Sequence, residues 1–326
     1  MIWVGILGPK GNFRETLSKL IAGHPEAQIS TMMDPQEICG AEEYMCGSYD
    51  TKPGYRKIVN AVKKSDIIFN GLSGAMAEDI YSKALSYGKR AIDISNAYFG
   101  CSSEGRVCGV YPGSVYGLPE LYKNKMKTAP IAANPSSRCA GILLGLAPLA
   151  ASNLADADTA IIESRSGITS LGRYDKISET DMTVNGGSKI YKMDSNGYAE
   201  EVNDQMHALF GRKVSVSYAA YIIPGFKGIT TTIKVNPNTD LCGNSISDIY
   251  GDFYKHSPFI EVCSNDTIIE GRNGLEECLC KIKASINKDN GNITVTTILD
   301  DAVKGAASQA IQTMNLMCGI DSEIGL

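Results

Sequence analysis

Seven consecutive residues, Ala133-Asn134-Pro135-Ser136-Ser137-Arg138-Cys139, bring two hydroxyls, a guanidinium and a thiol together just ahead of an apolar run reaching Leu149. The pattern predicts a helix starting at the serines. A helix start presents backbone N–H groups and the positive end of the helix dipole. With Asn134, Ser136 and Arg138 around it, such a turn makes a pocket for a carboxylate or phosphate. Ser137 and Cys139 are the candidate nucleophiles. A lone serine hydroxyl is mostly un-ionised near neutral pH and needs a base, yet the chain holds only three histidines, His24, His207 and His256. That scarcity restricts metal sites as well. Plainer roles stand beside these: Ser136 as a helix N-cap, Arg138 as a solvated surface arginine, Cys139 as a buried structural thiol.

A second candidate site lies near the start. Gly8-Pro9-Lys10-Gly11-Asn12-Phe13-Arg14 sits between a strand pattern and a helix pattern, where a dinucleotide pyrophosphate would meet a helix N-terminus. Gly8 and Gly11 supply only part of the fingerprint, because Arg14 stands where glycine or alanine lets the helix approach cofactor and sheet. Lys10 and Arg14 could attract phosphate or fill the place where it would lie. A tight strand-to-helix turn explains the glycines equally well.

These residues need a scaffold, and the chain patterns one. MIWVGILG, too short for a signal peptide, reads as a strand. An amphipathic helix with Leu17, Leu20 and Ile21 follows, then the strands AQIST, DIIFNGL and RAIDISN, with the helix AMAEDIYSKALSYG closed by Gly88. Strand–helix alternation implies a Rossmann-like, doubly wound parallel sheet. After Pro148, DTAIIESRSGI, KVSVSYAAYIIP, KGITTTIKV, FIEVC and NITVTTIL are strand-like, with YAEEVNDQMHALFG the clearest helix, which suggests an α+β domain with a mostly antiparallel sheet. The expected domains are residues 1–147 and 148–300, with a small-residue helix in 301–326 packing back on the first. The 326 residues carry 43% hydrophobic side chains and a net charge of −5, which disfavours nucleic acid and anionic membranes. No apolar run reaches bilayer length. Ten cysteines are scattered without a CxxC pair. Cys278 and Cys280 fall in an alternating strand pattern that would point both to one face. Reduced core thiols in a cytoplasmic chain are the expectation.

Several phrases are more specific. VYGLPELYK (Val115 to Lys123), ANP followed by a helix with APL, SGITSLGR (Ser166 to Arg173), YIIPGFKGITTTI, DFYKHSPFIEV and DDAVKGAASQAIQTMNLMCGI follow in order over essentially the whole chain. On these the sequence resembles the N-acetyl-gamma-glutamyl-phosphate reductase family of the semialdehyde dehydrogenase superfamily. The resemblance implies a Rossmann domain, an α+β catalytic and oligomerisation domain, and homo-oligomers. It also implies NADPH reduction of an acyl phosphate through a cysteine thioester, with a histidine handling the proton. Arg173 matches a family arginine and is an expected anion ligand.

The departures lie at the site positions. The family's ANPGCYPT is ANPSSRCA here, so Ser137 stands at the nucleophile position. The family's HRH is Asn196-Gly197-Tyr198, its LPHG is Leu72-Ser73-Gly74-Ala75, and its SADFR is Ser95 to Phe99. Its aromatic-Pro-His turn falls in Tyr218 to Tyr221, and its nicotinamide-side asparagine is Thr313. Cys139 lies two residues on, about 200° around a helix from Ser137. The expectation is a repurposed family member that binds an acyl phosphate or carboxylated amino-acid derivative. It would run a non-thiol, non-redox reaction (acyl transfer or cyclisation), with Ser137, Cys139 and Tyr198 as the candidate catalytic groups. NADP is expected to bind weakly or not at all, and no metal is expected. The alternatives are an NADPH-dependent reductase using Cys139 or a rearranged site, and an inactive binding or assembly partner. A homodimer or homotetramer is expected.

Overall fold

The computed structural model describes residues 1–39, 52–95, 101–102, 105–106, 112–167, 189–193, 197–212, 214–223, 227–238, 246–267 and 278–326. Two compact units emerge, Met1–Pro135 with Ala306–Leu326, and Ser136–Gly305.

The first unit contains strands β1 (Ile2–Leu7), β2 (Ala27–Met33), β3 (Ile67–Asn70), β4 (Arg90–Asp93), β5 (Cys101–Ser102), β6 (Gly105–Arg106), β7 (Val115–Tyr116) and β8 (Ile131–Ala133). Its helices are α1 (Asn12–Gly23), α2 (Pro35–Cys39), α3 (Lys52–Lys64), α4 (Ala75–Ser86), α5 (Pro119–Met126) and the late α9 (Ser308–Met317). Six strands form one sheet in the order β2-β1-β3-β4-β8-β7, every pair parallel; β5 and β6 form a separate antiparallel pair. Parallel strands covered on both faces must be apolar throughout, and Ile67, Ile68 and Phe69 are fully buried. The α9 helix is buried along its whole length and packs on α1, α5 and β4. Its polar residues therefore need internal partners. Asn315 has them: its Oδ1 lies 3.0 Å from His24 Nε2, and its Nδ2 donates to the Ile324 carbonyl at 2.8 Å. His24 Nδ1 accepts the Glu26 N–H at 3.1 Å, so this ring serves the fold.

The second unit contains β9 (Ala155–Ser166), β10 (Lys189–Met193), β11 (Val216–Ile222), β12 (Ile229–Pro237), β13 (Ile260–Val262), β14 (Cys280–Ile286) and β15 (Ile293–Leu299). They form a seven-stranded sheet in the order β10-β11-β9-β12-β15-β14-β13. The β9–β11 and β13–β14 pairs are parallel and the rest antiparallel, so the mostly antiparallel expectation holds. Alternation sends Ile229, Thr231, Ile233 and Val235 inward on β12. Cys278 precedes β14 and is half-buried, whereas Cys280 begins the strand and is buried, so the expected strand holds only the second of the two; neither is in a disulfide.

Helices α6 (Ser137–Ala151), α7 (Gly197–Phe210) and α8 (Ile246–Tyr254) complete this unit. The α6 helix lies on β9, β12 and β15. Gly141 and Gly145 face the sheet, and a Cβ at Gly145 would come within 2.6 Å of Ile233 Cδ1. The domain boundary expected at 147/148 falls inside α6. The whole helix clusters with the second unit because its apolar face is buried on that unit's sheet. Among the described residues no helix is long and apolar enough to cross a membrane, and no group of three or more His, Cys, Asp or Glu side chains is placed to hold a metal ion.

Pro148 lies inside α6 and has no N–H for the Leu144 carbonyl. The Tyr254 hydroxyl donates to that carbonyl at 2.5 Å, and Tyr250 donates to the Gly145 carbonyl at 2.6 Å. Tyr254→Phe should therefore strand a buried acceptor and cost about 1–3 kcal/mol in urea unfolding. In a Pro148→Ala background the restored N–H should cut that cost roughly in half or more. An equal cost in both backgrounds would show that the hydroxyl does not stand in for the missing donor.

Candidate active site

In the first unit the glycine turn joins β1 to α1. The Gly8 N–H donates to the Met33 carbonyl at 3.0 Å, bringing the end of β2 beside the turn. Gly8 is needed for packing, since a Cβ there would lie 3.0 Å from Gly71 Cα. Gly11 faces outward at φ 156°, and a Cβ there would meet nothing within 4 Å. As the N-cap of α1, Gly11 offers no side-chain hydrogen bond to the helix start, so the geometry leaves room for an anion. Two cations border it. Arg14 Nη1 donates to the Gly8 carbonyl at 2.9 Å, laying the guanidinium across the turn. Lys10 Nζ pairs with Asp34 Oδ2 at 3.1 Å.

Asp34 follows β2 directly and is 6% exposed. Its Oδ1 accepts the Glu37 N–H at 2.8 Å, and Glu37 Oε2 accepts the Asp34 N–H at 2.7 Å. This reciprocal pair caps α2. The Glu37 N–H is the main influence holding the Asp34 carboxyl below its ordinary range; burial opposes it and Lys10 adds to it. Thr313 is fully buried and its hydroxyl donates to the Gln309 carbonyl at 2.9 Å. The Asn134 amide is committed within the unit. Its Oδ1 accepts Gln309 Nε2 at 3.2 Å, and its Nδ2 donates to the Ala306 carbonyl at 3.3 Å.

In the second unit Ser136, Ser137, Arg138 and Cys139 gather at the start of α6. Ser136 is the N-cap, its Oγ accepting the Cys139 N–H at 3.2 Å. Ser137 is half-buried and packs on Gly305, where an added Cβ would come within 2.3 Å of Ser137 Cβ. Arg138 is not a solvated surface residue: it is 1% exposed. Its Nη2 donates to Ser166 Oγ at 2.8 Å, and its Nη1 reaches the Tyr198 hydroxyl at 3.4 Å. The guanidinium also lies 5.5 Å from the Tyr198 ring centroid, and Tyr198 packs against Tyr218. Cys139 is fully buried, its Sγ 3.9 Å from the Tyr198 carbonyl oxygen. Burial pushes its thiol well above the ordinary range, and the Glu201 carboxylate adds to that more than Ser136 and Arg138 offset it.

Arg138 and Tyr198, both expected site residues, are in direct side-chain contact here. Arg173, Asn196 and the segment 96–99 lie outside the described residues. His207 and His256 are exposed, on α7 and just after α8. Asp34 and Glu201 were not singled out from sequence. For Asp34 a local signal existed, since D-x-x-E after a strand is a capping-box spacing. Glu201 shares a buried stripe of α7 with Tyr198, Val202 and Gln205, which only the packing reveals.

A parallel dinucleotide-fold unit and a mixed-sheet unit, with the chain passing from one to the other at Pro135–Ser136, are the two parts of a semialdehyde dehydrogenase. Residues 3–129 match the family described as semialdehyde dehydrogenase, NAD binding domain, and residues 139–301 match semialdehyde dehydrogenase, dimerisation domain. The chain is 31% identical to N-acetyl-gamma-glutamyl-phosphate reductase of Clostridium botulinum (strain Eklund 17B / Type B) and 27% identical to that of Geotalea daltonii. Both alignments span 100% of this chain and 98% of the relative. The fold is similar to aspartate semialdehyde dehydrogenase II of Vibrio cholerae complexed with ASA, with a TM-score of 0.71, 14% identity and 98% of each chain covered. The chain belongs to the N-acetyl-gamma-glutamyl-phosphate reductase family of the semialdehyde dehydrogenases.

The burial of Cys139 has a direct readout. Iodoacetamide treatment of native protein at pH 8, followed by peptide mapping, should leave Cys139 unmodified until urea unfolds the chain. Rapid native labelling at Cys139 would mean that the thiol reaches solvent.

Proposed function

We propose that this family member holds an acyl phosphate or a carboxylated amino-acid derivative at the Ser136–Arg138 turn and converts it without a thiol, by acyl transfer or cyclisation. The observation that carries this reading is the pair of orientations at the start of α6. The thiol of Cys139 is sealed against the Tyr198 carbonyl, and a serine stands at the nucleophile position. The amino end of α6 and the buried Arg138 guanidinium beneath it supply positive potential for the substrate's phosphate or carboxylate. Tyr198 and Ser166 hold that guanidinium in place. Ser137 is the hydroxyl available to orient the acyl group. Arg173 is proposed as a further anion ligand on the strength of the family pattern.

In such a reaction an amine or hydroxyl, from a second substrate or from the acyl chain itself, attacks the acyl carbon. The C–O bond to phosphate breaks, phosphate departs at the helix terminus, and the attacking group gives its proton to solvent or to the departing phosphate. Nothing in this sequence needs hydride, which a nicotinamide nucleotide supplies when bound. NADPH is proposed to bind weakly or not at all, a reading supported by Arg14 lying across Gly8. A non-catalytic binding or assembly role is the second reading, favoured by the internal commitment of both Asn134 and Arg138.

The decisive assay is phosphate-dependent oxidation of N-acetylglutamate semialdehyde with NADP or NAD. No turnover is expected, and Ser137→Cys should not restore it, because Tyr198 is engaged with Arg138 where the family pattern has a histidine. Turnover abolished by Cys139→Ala would overturn the proposal and make Cys139 the displaced nucleophile.

A homodimer or homotetramer assembled through the seven-stranded sheet is also proposed. The dimerisation-domain match and Ile161, 53% exposed on β9, support it. Multi-angle light scattering should give a multiple of the chain mass, and a monomer at micromolar concentration would refute it.

A further inference from the structure

We infer that the acyl phosphate held at the start of α6 carries a free amine of its own, that Asp300 receives this amine as an ammonium, and that the reaction is a cyclisation. The inference rests on the proposed thiol-free reading of the Ser136–Arg138 turn and adds to it the residue that selects the substrate.

The register of the second sheet sets up the juxtaposition. Ser166 at the end of β9 lies opposite Ile229 at the start of β12, and Ile229 lies opposite Leu299 at the end of β15. β9 and β15 therefore finish level with each other, and Ser166 holds Arg138 of α6 at that end. Asp300 is the first residue beyond β15. Its carbonyl accepts the Gly305 N–H at 2.7 Å, and its Oδ1 accepts the Ala302 N–H at 2.8 Å and the Val303 N–H at 2.7 Å. The turn continues into Val303–Ala307, a single π-helical turn, a form that recurs at functional sites. Gly305 is pressed between Asp300 and Ser137. The point where its Cβ would stand lies 2.9 Å from the Asp300 carbonyl oxygen and 2.3 Å from Ser137 Cβ. The missing side chain thus lets the Asp300 turn close on the residue at the nucleophile position.

Asp300 is half-buried, and among the described residues its Oδ2 makes no hydrogen bond or ion pair. The charged groups around it are Asp301 beside it, the exposed Lys227 ahead of β12, the buried Lys304 with Nζ 5.4 Å from the Phe259 ring centroid, and Arg138, turned onto Ser166. Burial pushes the Asp300 carboxyl above its ordinary range; the Val303 and Ala302 N–H groups oppose this, Asp301 adds to it and Lys227 opposes it. A partly desolvated carboxylate with an open oxygen suits a ligand ammonium, and its raised proton affinity suits it to accept a proton. The amino end of α6 takes the phosphate on the other side of Ser137. One small molecule with both charges spans the two places, whereas an N-acetylated chain brings no ammonium. In the reaction the ammonium gives one proton to Asp300 Oδ2, and the freed amine forms the C–N bond to the acyl carbon. The C–O bond to phosphate breaks, and the leaving phosphate takes the second proton from nitrogen. Asp300 then returns its proton to solvent, leaving a lactam and inorganic phosphate.

The test is calorimetric titration of the full-length protein with δ-phosphononorvaline, which carries a phosphonate and a free amine, and with its N-acetyl form, repeated on Asp300→Asn. Asparagine keeps an oxygen for the Ala302 and Val303 N–H groups, so this variant removes charge and keeps the turn; Asp300→Ser is the substitute should Asp300→Asn fail to fold. The free amine should bind at least about tenfold tighter than the N-acetyl form, and the preference should shrink to about threefold or less in the variant. Equal binding of the two, or tighter binding of the N-acetyl form, would overturn the inference and leave the anion site standing. Binding of neither would overturn the anion site and the inference together. A preference for the free amine that survives in Asp300→Asn would remove Asp300 as its cause.

Discussion

A guanidinium withdrawn from water must be met by hydrogen bonds, because an unanswered buried charge costs far more than one interaction returns. Arg138 meets that requirement with the Ser166 hydroxyl and with the hydroxyl and ring of Tyr198. This constraint orients the start of α6. Once Arg138 points inward, Cys139, a further 100° around the helix, also points inward, and it is sealed under the first turn of α7. Ser137, on the other side of Arg138, rests on Gly305 and stays half-buried. Which side chain at this turn stays open to solvent is thus decided by an arginine serving the interior.

The same logic appears at the glycine turn. Its backbone keeps features that suit a phosphate: a glycine N-cap, open space above Gly11 and a helix amino end. The surrounding side chains have turned those features inward. Arg14 serves the Gly8 carbonyl, and Lys10 serves a carboxylate that is itself occupied in capping α2. A fold can keep the frame of a nucleotide site while its polar groups are redirected, because the frame depends on apolar strands and on close backbone packing such as Gly8 against Gly71.

Family membership and chemistry therefore rest on different residues. The chain matches reductases along its whole length, and the matching phrases build β8, α6, β12 and α9. The chemical question rests on a few positions, chiefly 137 to 139, 198 and 14.

The sequence by itself determined the two sheets and most of their strands. Ile67-Ile68-Phe69 reads as a strand buried on both faces, the alternation in KGITTTIKV reads as a strand with one face inward, and Ser136 reads as a helix cap. These are local patterns, set by the period of strand or helix and by backbone groups that need a partner within a few residues. Only the tertiary structure decided that Arg138 is buried, that Cys139 is enclosed and that α6 belongs with the second unit. The partners of Arg138 are 28 and 60 residues away along the chain. The energetic sign of a charged side chain depends on whether such distant groups arrive to satisfy it, and an arginine in the first turn of a helix reads as solvent-exposed until they do.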